Sequence, residues 1–152
     1  MKTLIVAIPL FNSNMAVEAY RLNSRDGQKL RGMMDDYLSV SDAILTPGLD
    51  LVKTLGVEPL AGDCPLFVDI NEYHLLMGVP LTLGIAPEKL VCVLPGDIKS
   101  DEAVLAKCRE LKDEGYGIAV DGFFEWNTGN PLFGLVDYII IDTEKYKPYT
   151  NT

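Results

Sequence analysis

The chain is poor in the side chains on which most metal and redox chemistry relies. Among 152 residues there are one histidine, one tryptophan and three cysteines. Cys64, Cys92 and Cys108 are odd in number and widely spaced, with no Cys-x-x-Cys. Neither a disulfide framework nor a zinc site is signalled, and buried thiols in a reducing cytoplasm are the simpler reading. Positive charge is scarce too: 13 Lys and Arg stand against 22 Asp and Glu, a net charge of −9. Both nucleic-acid polymers and anionic membrane surfaces are bound by clustered Lys and Arg, so neither is an expected partner. No apolar run is long enough to span a bilayer. The longest, near Thr3–Phe11, is interrupted by Pro9, lacks an Ala-x-Ala cleavage site and runs into Asn12-Ser13-Asn14, so it reads as a strand and not a leader.

What is present suits a packed core. A 48% hydrophobic, 23% charged composition excludes disorder, and the length fits one domain over 1–152 with no second domain. Thr3–Pro9 and Ala16–Leu22 read as two strands joined by a short polar turn, hence paired antiparallel. Leu30–Leu38 and Gly48–Leu55 read as helices, Pro59 to Pro65 as a loop, and Leu66–Ile70 as a buried strand. Asn71 is placed to cap a helix over Glu72–Met77, closed by Gly78. Leu90–Leu94 is a strand stopped by Pro95-Gly96. The clearest helix is Asp101–Glu114, with Ser100 as its expected N-cap and Val104, Leu105, Cys108 and Leu111 on its apolar face. Gly117–Val120 is a strand ending at Asp121. Asn127–Gly134 reads as loop, and Val136–Ile141 as a further strand. Strands alternating with helices imply βαβ units and a parallel sheet. Chemistry in such folds gathers at the strands' carboxyl ends, here Asp69, Asn71, Pro95 to Asp97, Asp121 to Phe123, and Asp142.

Four segments carry a resemblance: AIPLFNSNMAVEAYRLNSR, LFVDINEYHLL, LVCVLPGDIKSDEAVLAKCRELKDEGYGIAVDGF and VDYIIID. In this order the chain resembles an EAL domain, in particular the N-terminal EAL-type domain of bacterial proteins that also carry an HDOD domain. The resemblance implies a partial or modified EAL-type (β/α) barrel whose first strand is antiparallel to the rest. In this family, active members hydrolyse cyclic di-GMP with two divalent metals, Mg²⁺ or Mn²⁺, held by oxygen ligands at strand ends. Carried over residue by residue, the Glu of the EAL motif falls on Arg21, a charge reversal. The Asn of the F-x-N strand falls on Asp69. The Glu of the next strand falls on Val93, which has no ligand atom. The Asp-Asp pair falls on Asp121 and Gly122. The late Lys falls on Ile140, and the Asp two residues on falls on Asp142. The Arg that closes the motif falls on Arg25. A slipped register would take Glu18-Ala19 as the motif, with a poorer fit to the flanking residues.

Asp69, Asp121 and Asp142 are then remnants of a metal site, expected to hold no metal. Arg21 would repel a cation there; like unit charges at about 4 Å cost about 4 kcal/mol at an effective dielectric near 20. The match also stops near the sixth strand, so the barrel is expected to be incomplete, its open sheet covered by another copy or a partner. Each candidate has a plainer reading. Asp121 would cap a turn through Gly122, Asp69 would cap or turn near Asn71, and Arg21 and Arg25 would be solvated beside Glu18 and Asp26. Phe123, Phe124 and Trp126 would pack in a loop, Met33-Met34 would be core, and His74 would be a satisfied or exposed histidine. The expectation is a catalytically inactive, cytoplasmic signalling module, without cofactor, that works through protein contact or self-association. The alternative is a cyclic di-GMP receptor using Arg21, Arg25, Asp121 and Phe123; an active phosphodiesterase, which alone would need Mg²⁺ or Mn²⁺, ranks last.

Overall fold

Two apolar segments flank the polar turn at Asn12, and they fold into a hairpin. In the computed structural model, which describes residues 5–24, 47–122 and 130–141, β1 (Ile5–Phe11) and β2 (Val17–Ser24) pair antiparallel. Asn12 makes the turn: its Oδ1 accepts from the backbone N–H groups of Asn14 at 2.9 Å and Ala16 at 3.1 Å. Pro9 does not end the strand, because β1 is an edge strand and a missing N–H is tolerated there. The pairing slips between Leu10 and Phe11, which leaves Glu18 exposed at a bulge.

Four parallel strands follow: β3 (Leu66–Asp69), β4 (Leu90–Pro95), β5 (Gly117–Asp121) and β6 (Tyr138–Ile140). The sheet runs β1-β2-β3-β4-β5-β6, every strand after the hairpin parallel to its predecessor. The expected α/β architecture with an antiparallel first strand is present, as a curled six-stranded sheet. One face carries Leu22, Val68, Cys92, Ile118 and Val120 into the main core. Helices α1 (Pro47–Leu55), α2 (Glu58–Ala61), α3 (Glu72–Leu76) and α4 (Glu102–Glu114) cover that face. Val104, Leu105, Cys108 and Leu111 of α4 are all buried, as their helical spacing predicts. Each fully buried Leu or Val contributes about 1.5–3 kcal/mol.

The other face carries Ala19, Phe67, Val91, Val93 and Ala119, with Leu10 and Ile140 packed on them. This face is concave. Phe67 on β3 and Tyr138 on β6 bring their ring centroids within 5.0 Å across two intervening strands. Three strand spacings in a flat sheet would separate them by about 14 Å. Gly117 and Ala119 of β5 leave room for this curl. A Cβ on Gly117 would stand 2.8 Å from Val91 Cγ2, so any larger residue there would have to displace the Val91 side chain.

Several boundaries differ from expectation, among them β2, which runs over Val17–Ser24 and not Ala16–Leu22. The segment from Pro59 to Pro65 is not wholly loop, since α2 occupies Glu58–Ala61, with Pro59 in the first turn where its missing N–H costs nothing. The N-cap of α4 is Asp101 and not Ser100: Asp101 Oδ1 accepts from Val104 N–H at 2.9 Å. The hairpin strand β1 continues past Pro9 to Phe11. The last strand is shorter than Val136–Ile141, because a 3-10 turn over Pro131–Leu135 precedes it and Asp137 turns aside to accept from Ile118 N–H at 2.9 Å. Thr3, Leu4 and the expected helix Leu30–Leu38, with Met33-Met34, lie outside the described residues. Among the described residues no helix is long and apolar enough to cross a membrane.

Candidate functional site

Strand register places the chemistry-bearing residues on the concave face. Arg21 of β2 is level with Phe67 of β3; two residues on, Asp69 is level with Val93 of β4. Asp121, the last residue of β5, is level with Pro95 and with Ile140 of β6. Side chains two apart on a strand share a face, so Arg21, Asp69, Val93, Asp121 and Ile140 line the same surface near the carboxyl ends. Glu18, exposed at the bulge of β2, does not join them.

One terminal nitrogen of Arg21, Nη2, is taken up by carboxylates of the chain itself. Its Nη2 donates to Asp69 Oδ1 at 3.0 Å and Oδ2 at 3.3 Å, and to Asp121 Oδ2 at 2.6 Å. A β2 side chain thus reaches a β5 carboxylate over two strands, which only the curl permits. Asp69 does not cap a helix, and Asp121 does not merely cap a turn. Arg21 is the most shielded of the three, its side chain 20% exposed against 45% for Asp69 and 37% for Asp121. Burial opposes its charged form, but the charge and hydrogen bonds of Asp69 and Asp121 outweigh burial, so the guanidinium is held even above its usual high pKa.

Gly96 seats this cluster. A Cβ there would meet Gly122 O at 2.4 Å and Asp121 O at 2.6 Å, so the chain leaving β4 lies directly against the end of β5. Asn71, by contrast, serves the backbone. Its Oδ1 accepts from His74 N–H at 2.7 Å, while His74 Nδ1 accepts from Asn71 N–H at 3.2 Å. His74 is 2% exposed, a structural group within α3's cap and not a ligand at the strand ends. A separate groove opens at the amino ends of β3 and β4, where Lys89 Nζ donates to Asp63 O at 2.5 Å.

The described residues at this rim do not by themselves fit a pair of divalent metals. Both described carboxylates are engaged by a cation of the chain itself. Their neighbours Val93 and Ile140 offer no donor atom. No group of three or more His, Cys, Asp or Glu that could hold a metal occurs among the described residues. Arg25, Phe123 and Asp142 lie outside the described residues, as do Phe124 and Trp126. The ion-pair cluster itself was not foreseen. The signal available was Arg21 on the same strand parity as two strand-end carboxylates, Asp69 and Asp121.

Comparison with known proteins supports the fold. No protein-family model matches the chain. The uncharacterized protein YuxH of Bacillus subtilis (strain 168) is 26% identical over 148 residues, covering 93% of this chain. The chain spans about a third of that relative, 35% of its length. Among solved structures, the PaMucR phosphodiesterase in complex with c-di-GMP superposes with a TM-score of 0.67 at 13% identity, covering 99% of this chain and 74% of that one. The YkuI protein of Bacillus subtilis, with an EAL domain and in complex with c-di-GMP and calcium, gives 0.64 at 18% identity, over 97% of this chain and 43% of that one. The EAL enzyme Bd1971, in its cGMP-bound form, gives 0.61 at 14% identity, over 93% and 46%. The protein therefore has an EAL-like fold: a curled sheet with an antiparallel first strand, ending its parallel strands at one shared rim.

Proposed function

We propose that this chain is a degenerate EAL-like module of cyclic di-GMP signalling in the cytoplasm, which does not cleave the nucleotide and acts through protein contact. The contact is with a second copy or with another protein. One observation carries this reading: the Arg21 guanidinium lies between Asp69 and Asp121, where the resemblance implies oxygen ligands for metal. Two-metal phosphodiester hydrolysis needs cations that polarise the phosphate and lower the pKa of water. Each Mg²⁺ demands a near-octahedral oxygen shell. Arginine gives up its proton to neither water nor leaving group, because it stays charged throughout the accessible pH range.

The receptor reading ranks second for the same reason. Of the two arginines that reading uses, Arg21 already shares its Nη2 between two carboxylates, while Arg25, which the resemblance assigns to a ligand phosphate, lies outside the described residues. The test is to incubate the protein with cyclic di-GMP and Mg²⁺ or Mn²⁺, following linear product by chromatography, and to titrate the nucleotide calorimetrically. No product and no heat up to millimolar nucleotide is the expected result. Linear product would overturn the inactive reading. Micromolar binding that Arg25→Ala abolishes would replace protein contact with nucleotide reception.

A further inference from the structure

An arginine nitrogen placed between two carboxylates at strand ends supplies both with a positive charge without an added ion. We infer that Arg21 is the fold's own cation: it holds Asp69 and Asp121 in place of a divalent metal and clamps the rim of β2, β3 and β5 without one. The geometry carries this in three ways. The same nitrogen meets both carboxylates, at 3.0 Å and 2.6 Å, so one charge serves two strand ends. The bond to Asp121 crosses from β2 to β5, so it ties together strands that the backbone ladder does not join directly. The flanking Val93 and Ile140 add no oxygen with which a metal could compete.

The two kinds of cation differ physically. A divalent ion must be captured from solution and dehydrated, and its occupancy follows its concentration. The arginine is covalently present at every concentration, always charged, and weakly hydrated. The wild-type fold should therefore ignore metal and chelator alike. Neutralising Arg21 would remove the positive charge that Asp69 and Asp121 share at the rim, a loss that a soluble cation relieves. Metal dependence would then be created by removing one side chain. The inference rests on the same cluster as the proposed function. It is read in metal uptake and stability instead of turnover, so either can fail alone.

The probe is Mn²⁺, followed by its electron paramagnetic resonance signal and by thermal melting of the full chain. Wild type should take up no Mn²⁺ at millimolar concentration and melt at the same temperature in Mn²⁺ and in EDTA. Arg21→Gln should melt lower in EDTA, by about 3–6 °C, regain part of the loss in Mn²⁺, and bind Mn²⁺ at least tenfold more tightly than wild type. Adding Asp121→Asn to that variant should abolish the uptake, and Arg21→Lys should stay indifferent to Mn²⁺. Submillimolar Mn²⁺ binding by wild type would overturn the inference. So would an Arg21→Gln protein that melts like wild type and ignores the metal. Should Arg21→Gln fail to fold in either condition, Asp121→Asn alone carries the test. A lowered, Mn²⁺-indifferent melting temperature supports the clamp, and an unchanged one overturns it.

Discussion

Cys92 of β4 and Cys108 of α4 lie in one core, 1% and 0% exposed, and each thiolate would be costly there. Desolvation, with a smaller contribution from Cys108, pushes the Cys92 thiol up to about 12; desolvation pushes Cys108 up to about 11. Both sit above the ordinary value of 9.0, so the folded state keeps its protons where the unfolded chain loses them. The stability this supplies is intact below pH 9.0 and is lost as pH rises towards about 11 and about 12. Each thiol should steepen the loss by up to about 1.4 kcal/mol per pH unit within that window. Urea unfolding of wild type and Cys92→Ala between pH 8 and 10.5 measures it, with the variant expected to show the shallower decline. Parallel declines would remove Cys92 from the account. The burial of these thiols was legible in the sequence, from the helical spacing of Cys108 and the apolar run around Cys92. The partners of Arg21 were not. Its charge reversal could be seen, but its reach to Asp121 depends on a curl over Gly117 and Ala119, which strand spacing does not encode.

Among the elements, α4 is where sequence and structure agree most closely, and they differ by one residue. Ser100 and Asp101 are both good N-caps, so composition alone does not choose between them. The chosen residue is the one whose backbone is extended and whose oxygen reaches the N–H three residues on, and that is Asp101. Its charge also faces the positive end of the helix dipole. Asp101→Ala should destabilise the protein by about 1 kcal/mol, while Ser100→Ala should change it by no more than about 0.5 kcal/mol. Chemical denaturation of the two variants decides between them, and equal losses would return the cap to shared duty. The shorter elements were less legible. Helix α2 was hidden because Pro59 reads as a breaker in one dimension, though at a first turn it is compatible with helix. The cap of α3 was found through Asn71, while the reciprocal bond from Asn71 N–H to His74 Nδ1 was not, because histidine replaces the usual Glu or Gln of a capping box.

At the scale of the whole molecule, the curled sheet ends, among the described residues, at two lateral strands, β1 and β6. Apolar side chains remain exposed beside them: Ile8 at 39%, Phe11 at 54% and Val17 at 38% in the hairpin, and Tyr138 at 44% on β6. Natural sheets seldom leave such edges bare, since unpaired strand edges with apolar neighbours invite pairing with another chain. The apolar character of these strands was legible in the sequence; which of their residues stay exposed emerges only from the register. Self-association must contend with the chain's own charge. Two copies at −9 each repel, so their apolar edges meet against a long-range barrier. Raising salt from about 0.1 M to about 1 M shortens the screening length from about 10 Å to about 3 Å, which removes most of that barrier and leaves the apolar contact intact. Light scattering across micromolar to near-millimolar protein should therefore show a dimer that strengthens with salt. Ile8→Glu, with native circular dichroism, should shift the population to monomer. Association that weakens with salt would mean that charge pairing, not the apolar edge, holds the copies together. A monomer under every condition would leave a different protein as the only partner that the proposed function can have.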